Sequence, residues 1–390
     1  MRKPDIKSLY YITHIENLPS ILQRGILSHK KVEELGVSYT PIYDSGIVSK
    51  RKDKFTPAKS SLWEYANLYF QPRNPMMYRV VHEKDKRDIA VIGVKPDVLA
   101  AAGGLITDGN AANDPTQFFA IKEGREILQK QWKIIQNEWW NDLDGSKRKI
   151  MAECLVPKQI SPELVHSIFV ADYKAKERVE TIIGSAKIPL VPEPNMFFQP
   201  ISASRIGTNI SLIDGDMFFS NMQTLTISVN LQGIMGKGLA SRAKYQFPDV
   251  YVVYQDACRN KQLTATKPYL YKREASLDQE LADLSFPLVT SNAVKWFLSF
   301  ATKRQWRDNS RLEDIEGGLD WVRNNCHEIG IQSLAMPALG CGLGNLNWEE
   351  VGPLMCRSLH NIGIPVAIYL PREHQIDSKY LTNDYLLNRS

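Results

Sequence analysis

Hydrophobic positions predict an irregular mixture of elements in the first half of the chain and a regular alternation in the second. Over Gln117–Asn141, the residues Phe118, Ile121, Ile127, Leu128, Trp132 and Ile135 fall at helical spacing, which predicts one long amphipathic helix. Leu18–Arg24 reads as a shorter helix stopped by Gly25. Ala90–Val94, Ile150–Val156 and Ile168–Ala171 are short apolar runs of strand type. This is an α+β pattern, and it lacks an early strand–GxGxxG–helix unit, so a Rossmann dinucleotide fold is not expected.

In the second half, strands are expected at Ile210–Ile213, Leu225–Val229, Trp296–Phe300, Ser333–Met336 and Pro365–Tyr369. Helices are expected at Gly236–Phe247, Arg311–Glu328 and Trp348–Asn361. Such alternation predicts a layered α/β domain, with ligands bound where strand ends meet helix N-termini. Between the halves, KIPLVPEPNMFFQPIS holds four prolines, which block helix and central strand alike. A boundary is therefore expected between about Gly184 and Arg205, where Phe197 and Phe198 can pack on a neighbouring domain.

Composition narrows the class. The 390 residues are 43% apolar and 23% charged, suited to two domains with real cores. No apolar run approaches the ~20 residues of a membrane span. The N-terminus carries charges but no apolar signal core, so neither a membrane partner nor secretion is expected. Five scattered cysteines form no CxxC pair, which argues against a zinc site or a disulfide framework. No metal is expected, and a reducing cytoplasm fits best. The net charge of +5 lies in the first half, with a cluster at Lys50, Arg51, Lys52, Lys54 and Lys59. That cluster is either a phosphate-attracting patch or a solvated loop.

Two glycine loops suggest an anionic ligand in the second half. Gly233-Ile234-Met235-Gly236-Lys237-Gly238 precedes a helix, and Gly340-Cys341-Gly342-Leu343-Gly344 follows an apolar strand. Either loop alone can be a helix cap; together, at two strand ends, they can grip one diphosphate through backbone N–H groups. Asp214-Gly215-Asp216-Met217 follows the first strand, and Thr302-Lys303-Arg304-Gln305-Trp306-Arg307 sits on a strand-to-loop edge. These ordered motifs, over roughly residues 205–372, resemble the ADP-ribose-binding macrodomain of the DarG type. The resemblance implies that Asp216 accepts a hydrogen bond from the adenine amino group and that Asn230 faces the distal ribose. Where the family has a second asparagine, three residues earlier, this chain has Ile227. The resemblance also implies that Lys303 is catalytic, attacking the anomeric carbon or stabilising charge there; holding phosphate is the alternative. At Gly344 the chain has no acidic partner.

In the first half, His14 closes Tyr10-Tyr11-Ile12-Thr13-His14 just before a helix. The unusual segment Tyr69-Phe70-Gln71-Pro72-Arg73-Asn74-Pro75-Met76 follows. Thr107-Asp108-Gly109-Asn110-Ala111-Ala112 then precedes a possible helix, and Glu153 lies in an apolar strand. Singly, each has a structural reading: a satisfied histidine, an aromatic turn, an edge carboxylate. In order, over roughly residues 7–180, they resemble DarT, the DNA ADP-ribosyltransferase toxin, whose fold is a split β-core that clamps NAD. The resemblance implies that Glu153 is the catalytic glutamate, that Arg51 acts in the cleft, and that His14 holds the adenosine ribose. Thr13, Asn17, Arg51 and Tyr69 complete the expected NAD contacts.

The expected architecture is then an ADP-ribosyltransferase domain at residues 1–184, a proline-rich linker at 185–204 and a three-layer α/β/α macrodomain at 205–390. The expected function is a fused toxin–antitoxin. The first domain modifies a base of single-stranded DNA, thymine by family analogy, using NAD as substrate. The second removes the adduct, and an intramolecular contact between toxin and antitoxin is expected. Modification of guanine, RNA or protein, or a macrodomain that only binds ADP-ribose, are the alternatives. Tyr43, Trp63 and Tyr69 either stack on bases or pack in the core.

Overall fold

The computed structural model describes residues 5–43, 45–275, 281–282, 295–371 and 375–388. The chain divides into two compact units, Met1–Phe198 with Asp278–Ser291, and Gln199–Leu277 with Asn292–Ser390. The second is therefore interrupted, unlike the continuous 205–390 expected. Within the first unit, the buried Trp140 donates its indole N–H to the Leu281 carbonyl at 3.0 Å.

The first unit holds an eight-stranded sheet and a two-stranded one. Its strands are β1 (Leu9–His14), β2 (Ile26–Leu27), β3 (Tyr65–Tyr69), β4 (Ile89–Val94), β5 (Leu105–Thr107), β6 (Phe118–Ala120), β7 (Glu153–Pro157), β8 (Gln159–Ile160), β9 (Val165–Val170) and β10 (Leu190–Pro192). The large sheet runs β10-β9-β4-β1-β3-β7-β5-β6, and β2 pairs with β8. The helix expected from Gln117 begins at Ile121, because Phe118–Ala120 pairs antiparallel with β5 instead. Those three residues fit a helical apolar face, but pairing outweighs so weak a local preference. The turns after Asn110 form no helix, contrary to the expectation.

The proline-rich segment carries short elements of its own. Leu190–Pro192 pairs parallel with β9 at the sheet edge, where a proline without an N–H is tolerated. Phe198 packs edge-on against Tyr78 and Trp140, and the Arg73 guanidinium lies 4.7 Å from its ring centre.

The second unit carries β11 (Ser202–Ile206), β12 (Ile210–Asp214), β13 (Thr224–Asn230), β14 (Tyr269–Tyr271), β15 (Trp296–Lys303), β16 (Leu334–Pro337) and β17 (Val366–Tyr369). Their order is β11-β12-β17-β16-β13-β15-β14, parallel except at the two edges. Alternate residues of β15 face opposite layers. Leu298 and Phe300 join a core with the helices Leu312–Asn325 and Trp348–Leu359. Phe297 instead packs on Phe247, between the helices Gly238–Gln246 and Pro248–Arg259. This is the three-layer plan; the helix Pro248–Arg259 was not anticipated. Parallel pairing brings Asn230, at the end of β13, opposite Lys303, at the end of β15.

Phe300 is fully buried, and a Cβ added at Gly318 would stand 2.3 Å from its ring. Phe300→Ala is expected to destabilise the second unit by about 3–5 kcal/mol. A urea denaturation series against the parent chain measures this.

Candidate active sites

Glu153, the first residue of β7, is completely buried. A buried carboxylate needs both a counter-charge and hydrogen bonds. Arg51 supplies the charge: its Nη2 lies 3.1 Å from Oε2 and its Nη1 3.4 Å from Oε1. Ala111 donates its N–H to Oε1 at 2.8 Å. The backbone is held as firmly, because Glu153 donates its own N–H to the Thr107 hydroxyl at 2.9 Å. That hydroxyl in turn donates to the Gly109 carbonyl at 2.6 Å. Asn110 tightens the same turn, its side-chain oxygen accepting the Ala112 N–H. Arg148 forks onto Asp108 at 2.8 and 3.2 Å. The role of Thr107 and the Arg148–Asp108 pair was missed in the sequence, although the TDGNAA string marked the place.

Arg51 lies in the last turn of the helix Ser45–Lys52. Burial disfavours its charge, but Glu153, Tyr69 and Tyr43 outweigh that and its affinity for the proton is raised. With Tyr11, Tyr43, Tyr69 and Arg79 it lines a cavity of about 480 Å³. Tyr69 is the register partner of Glu153 across β3 and β7. Burial pushes the Tyr11 hydroxyl up to about 12 and raises Tyr43 as well, so both are neutral donors.

A smaller cavity of about 70 Å³ shares Tyr11, Ile12 and Tyr43 and is also lined by Thr13 and Asn17. Asn17 donates to the Thr13 hydroxyl at 3.1 Å and to the Thr40 carbonyl at 2.8 Å, and accepts the Thr40 N–H at 2.8 Å. His14 lines neither of these cavities; its Nδ1 accepts the Glu16 N–H at 3.2 Å and caps the short helical turn Ile15–Asn17. The basic cluster is partly engaged, Lys54 with Asp114 at 2.8 Å and Lys52 over the Trp63 ring. Trp63 also stacks on His29 at 4.3 Å.

In the second unit the two strand ends and two glycine loops converge. Lys303 Nζ donates to the Leu343 carbonyl of the second loop at 2.5 Å. Opposite it, Asn230 shapes the first loop. Its side-chain oxygen accepts the Gln232 N–H at 2.9 Å and the Tyr254 hydroxyl at 3.1 Å, while its amide donates to the Ile234 carbonyl at 2.6 Å. Gly233, Gly238 and Gly340 adopt positive φ, and a Cβ at Gly344 would lie 2.5 Å from the Gly340 carbonyl oxygen. Met235 and Cys341 are buried under the loops, whereas Gly236, Lys237 and Leu343 are exposed. Burial pushes the Cys341 thiol up to about 12, which makes it a packing group.

Asp216 accepts the Phe218 N–H and is gripped by Arg242 Nη1, at 2.9 Å from each carboxylate oxygen. Arg242 stacks over Phe218 at 4.3 Å. This partner was also missed; its only signal was a cation one turn into a helix that follows a glycine loop. Ile227 is buried within β13. Among the described residues, no group of three or more His, Cys, Asp or Glu is placed to hold a metal ion, and no helix is long and apolar enough to cross a membrane.

One titration is built into the smaller cavity, which His29 also lines. Burial first, and Arg51 second, lower the His29 pKa to about 4. Between about pH 6.5 and 4 the unfolded chain then binds a proton that the folded chain excludes, so stability falls as pH falls through this window. His29→Phe is expected to flatten that part of a stability–pH profile. A profile unchanged from the parent contradicts the assignment.

A family model described as ssDNA thymidine ADP-ribosyltransferase, DarT, matches residues 10–198, and one described as Macro domain matches residues 287–355. The chain is 50% identical over 386 residues to a DNA ADP-ribosyl transferase–DNA ADP-ribosyl glycohydrolase fusion protein of Thermosipho africanus, covering 99% of each. The solved structure of Thermosipho africanus DarTG in complex with ADP-ribose matches with a TM-score of 0.91 and 50% identity, over 97% of this chain and 99% of that one. A DNA ADP-ribosyl glycohydrolase of Thermus aquaticus is 31% identical over 166 residues, 42% of each chain. With a relative of this identity along its whole length, the chain belongs to the family in which a DarT-type DNA ADP-ribosyltransferase is fused to a DarG-type DNA ADP-ribosylglycohydrolase.

Proposed function

We propose that the first unit transfers ADP-ribose from NAD to a thymine base of single-stranded DNA, and that the second unit removes it. The observation that carries the transfer reading is Glu153, a buried carboxylate held by Arg51 and Ala111 at a cavity that Arg51 and Tyr69 line. When the nicotinamide–ribose bond breaks, its electron pair goes to the nicotinamide nitrogen and positive charge builds on the ribose. Glu153 stabilises that charge, and the attacking base nitrogen loses its proton as the new bond forms. A nitrogen on the pairing edge is accessible only in an unpaired base, which favours single-stranded DNA. Thymine is supported by the description of the matching family model.

Thr13 and Asn17 supply the polar groups of the smaller cavity and belong to the NAD site in this reading. His14, beside Thr13 at the end of β1, belongs with them through the resemblance. In the second unit, the loops at Gly233–Gly238 and Gly340–Gly344 bind the diphosphate, with the helix Gly238–Gln246 adding its positive N-terminal end. Asp216, oriented by Arg242, receives the adenine amino group. Lys303, opposite Asn230, acts at the anomeric carbon. Hydrolysis there breaks the ribose–base bond, with water giving its hydroxyl to the ribose and a proton to the base. The cytoplasm is the compartment proposed, since NAD and DNA meet there and all five cysteines are free.

In the full chain, Lys303→Ala incubated with NAD and a thymine-containing oligonucleotide is expected to accumulate adduct. Nucleoside mass spectrometry should find ADP-ribose on thymidine. Adduct on guanosine only, or label that follows protein on digestion, overturns the substrate. Glu153→Gln added to Lys303→Ala is expected to lower adduct formation by roughly 10²–10⁴-fold.

A further inference from the structure

We infer that Trp306, with Arg307, forms a stacking platform for a DNA base next to the adduct at the mouth of the second unit's pocket. This rests on the glycohydrolase reading above and adds to it a site for the DNA strand itself. Trp306 is 49% exposed, three residues beyond Lys303. The Arg307 guanidinium lies 4.5 Å from the ring centre and is itself exposed. An exposed aromatic ring beside an exposed cation matches a nucleotide, whose base stacks and whose phosphate is anionic.

The backbone that carries the ring is tied to the loop that follows Asn230. Trp306 donates its backbone N–H to Gln232 Oε1 at 3.0 Å, and Gln232 donates its N–H to Asn230 Oδ1 at 2.9 Å. Leu231 donates to the Arg304 carbonyl at 3.2 Å, which ties the same two loops again. Arg304 is spent on Asp314, with contacts of 2.9 and 3.0 Å, and Gln305 and Asp308 exchange two bonds that close the turn. Arg307 is thus the cation of this turn that faces the ring. Ile234 and Leu343, one on each glycine loop, also expose apolar side chains. ADP-ribose ends at the distal ribose, so a group recognising more than ADP-ribose must lie outside that end, where Lys303 and Asn230 stand.

The test compares two substrates in the full chain without NAD: an ADP-ribosylated single-stranded oligonucleotide, and the adducted nucleoside released from it by nuclease digestion. Trp306→Ala is expected to raise KM for the oligonucleotide roughly tenfold, with kcat within a factor of about two, and to leave the nucleoside unaffected. Trp306→Phe is expected to restore most of the oligonucleotide KM. Equal behaviour of parent and Trp306→Ala on the oligonucleotide overturns the platform, and so does an equal loss on both substrates, which marks a structural role. If the parent hydrolyses neither substrate, the glycohydrolase reading falls. The platform is then judged by the affinity gained through the adduct, which Trp306→Ala must weaken roughly tenfold for the oligonucleotide alone.

Discussion

The first unit is organised around one buried charge. Glu153 has no contact with water, so its carboxylate is tolerable only with Arg51 and the Ala111 N–H in place. Removing one partner of such a pair typically costs about 3–5 kcal/mol. Three separate pieces of chain must therefore be correct together: the end of helix Ser45–Lys52, the turn after β5, and the start of β7. The same arrangement keeps water from the carboxylate, so its charge acts at short range in a poorly screening environment.

The second unit is organised by backbone rather than by a buried charge: glycines with positive φ stand at the ends of adjacent parallel strands, with a helix start behind one of them. Side chains at the strand ends tie these pieces together. Asn230 wires the first loop, Lys303 reaches the second, and Arg242 fixes Asp216. These bonds hold the two glycine loops and Asp216 in place.

Two opposing reactions on one bond type then occupy one chain. Fusion sets the dose of writer and eraser at one to one. The two units place unlike groups at their strand ends, a buried carboxylate in one and a lysine in the other.

Local signals carried much of this in the sequence. The glycine loops, the lysine at the end of an apolar run and Glu153 in an apolar strand were visible because turn chemistry and hydrophobic period act over a few residues. The alternation of strands and helices in residues 205–390 was visible for the same reason. Non-local pairing was not. Phe118–Ala120 satisfies a helical period yet forms a strand, because β5 offers its edge. Prolines marked 185–204 as a linker, although edge strands accept them. Arg51 and Glu153 stand 102 residues apart, and no local rule joins them. The sequence by itself determined the two domain classes and the chemical groups available to each. Only the tertiary structure decided which groups meet, because strand register and the need to compensate a buried charge are settled between distant segments.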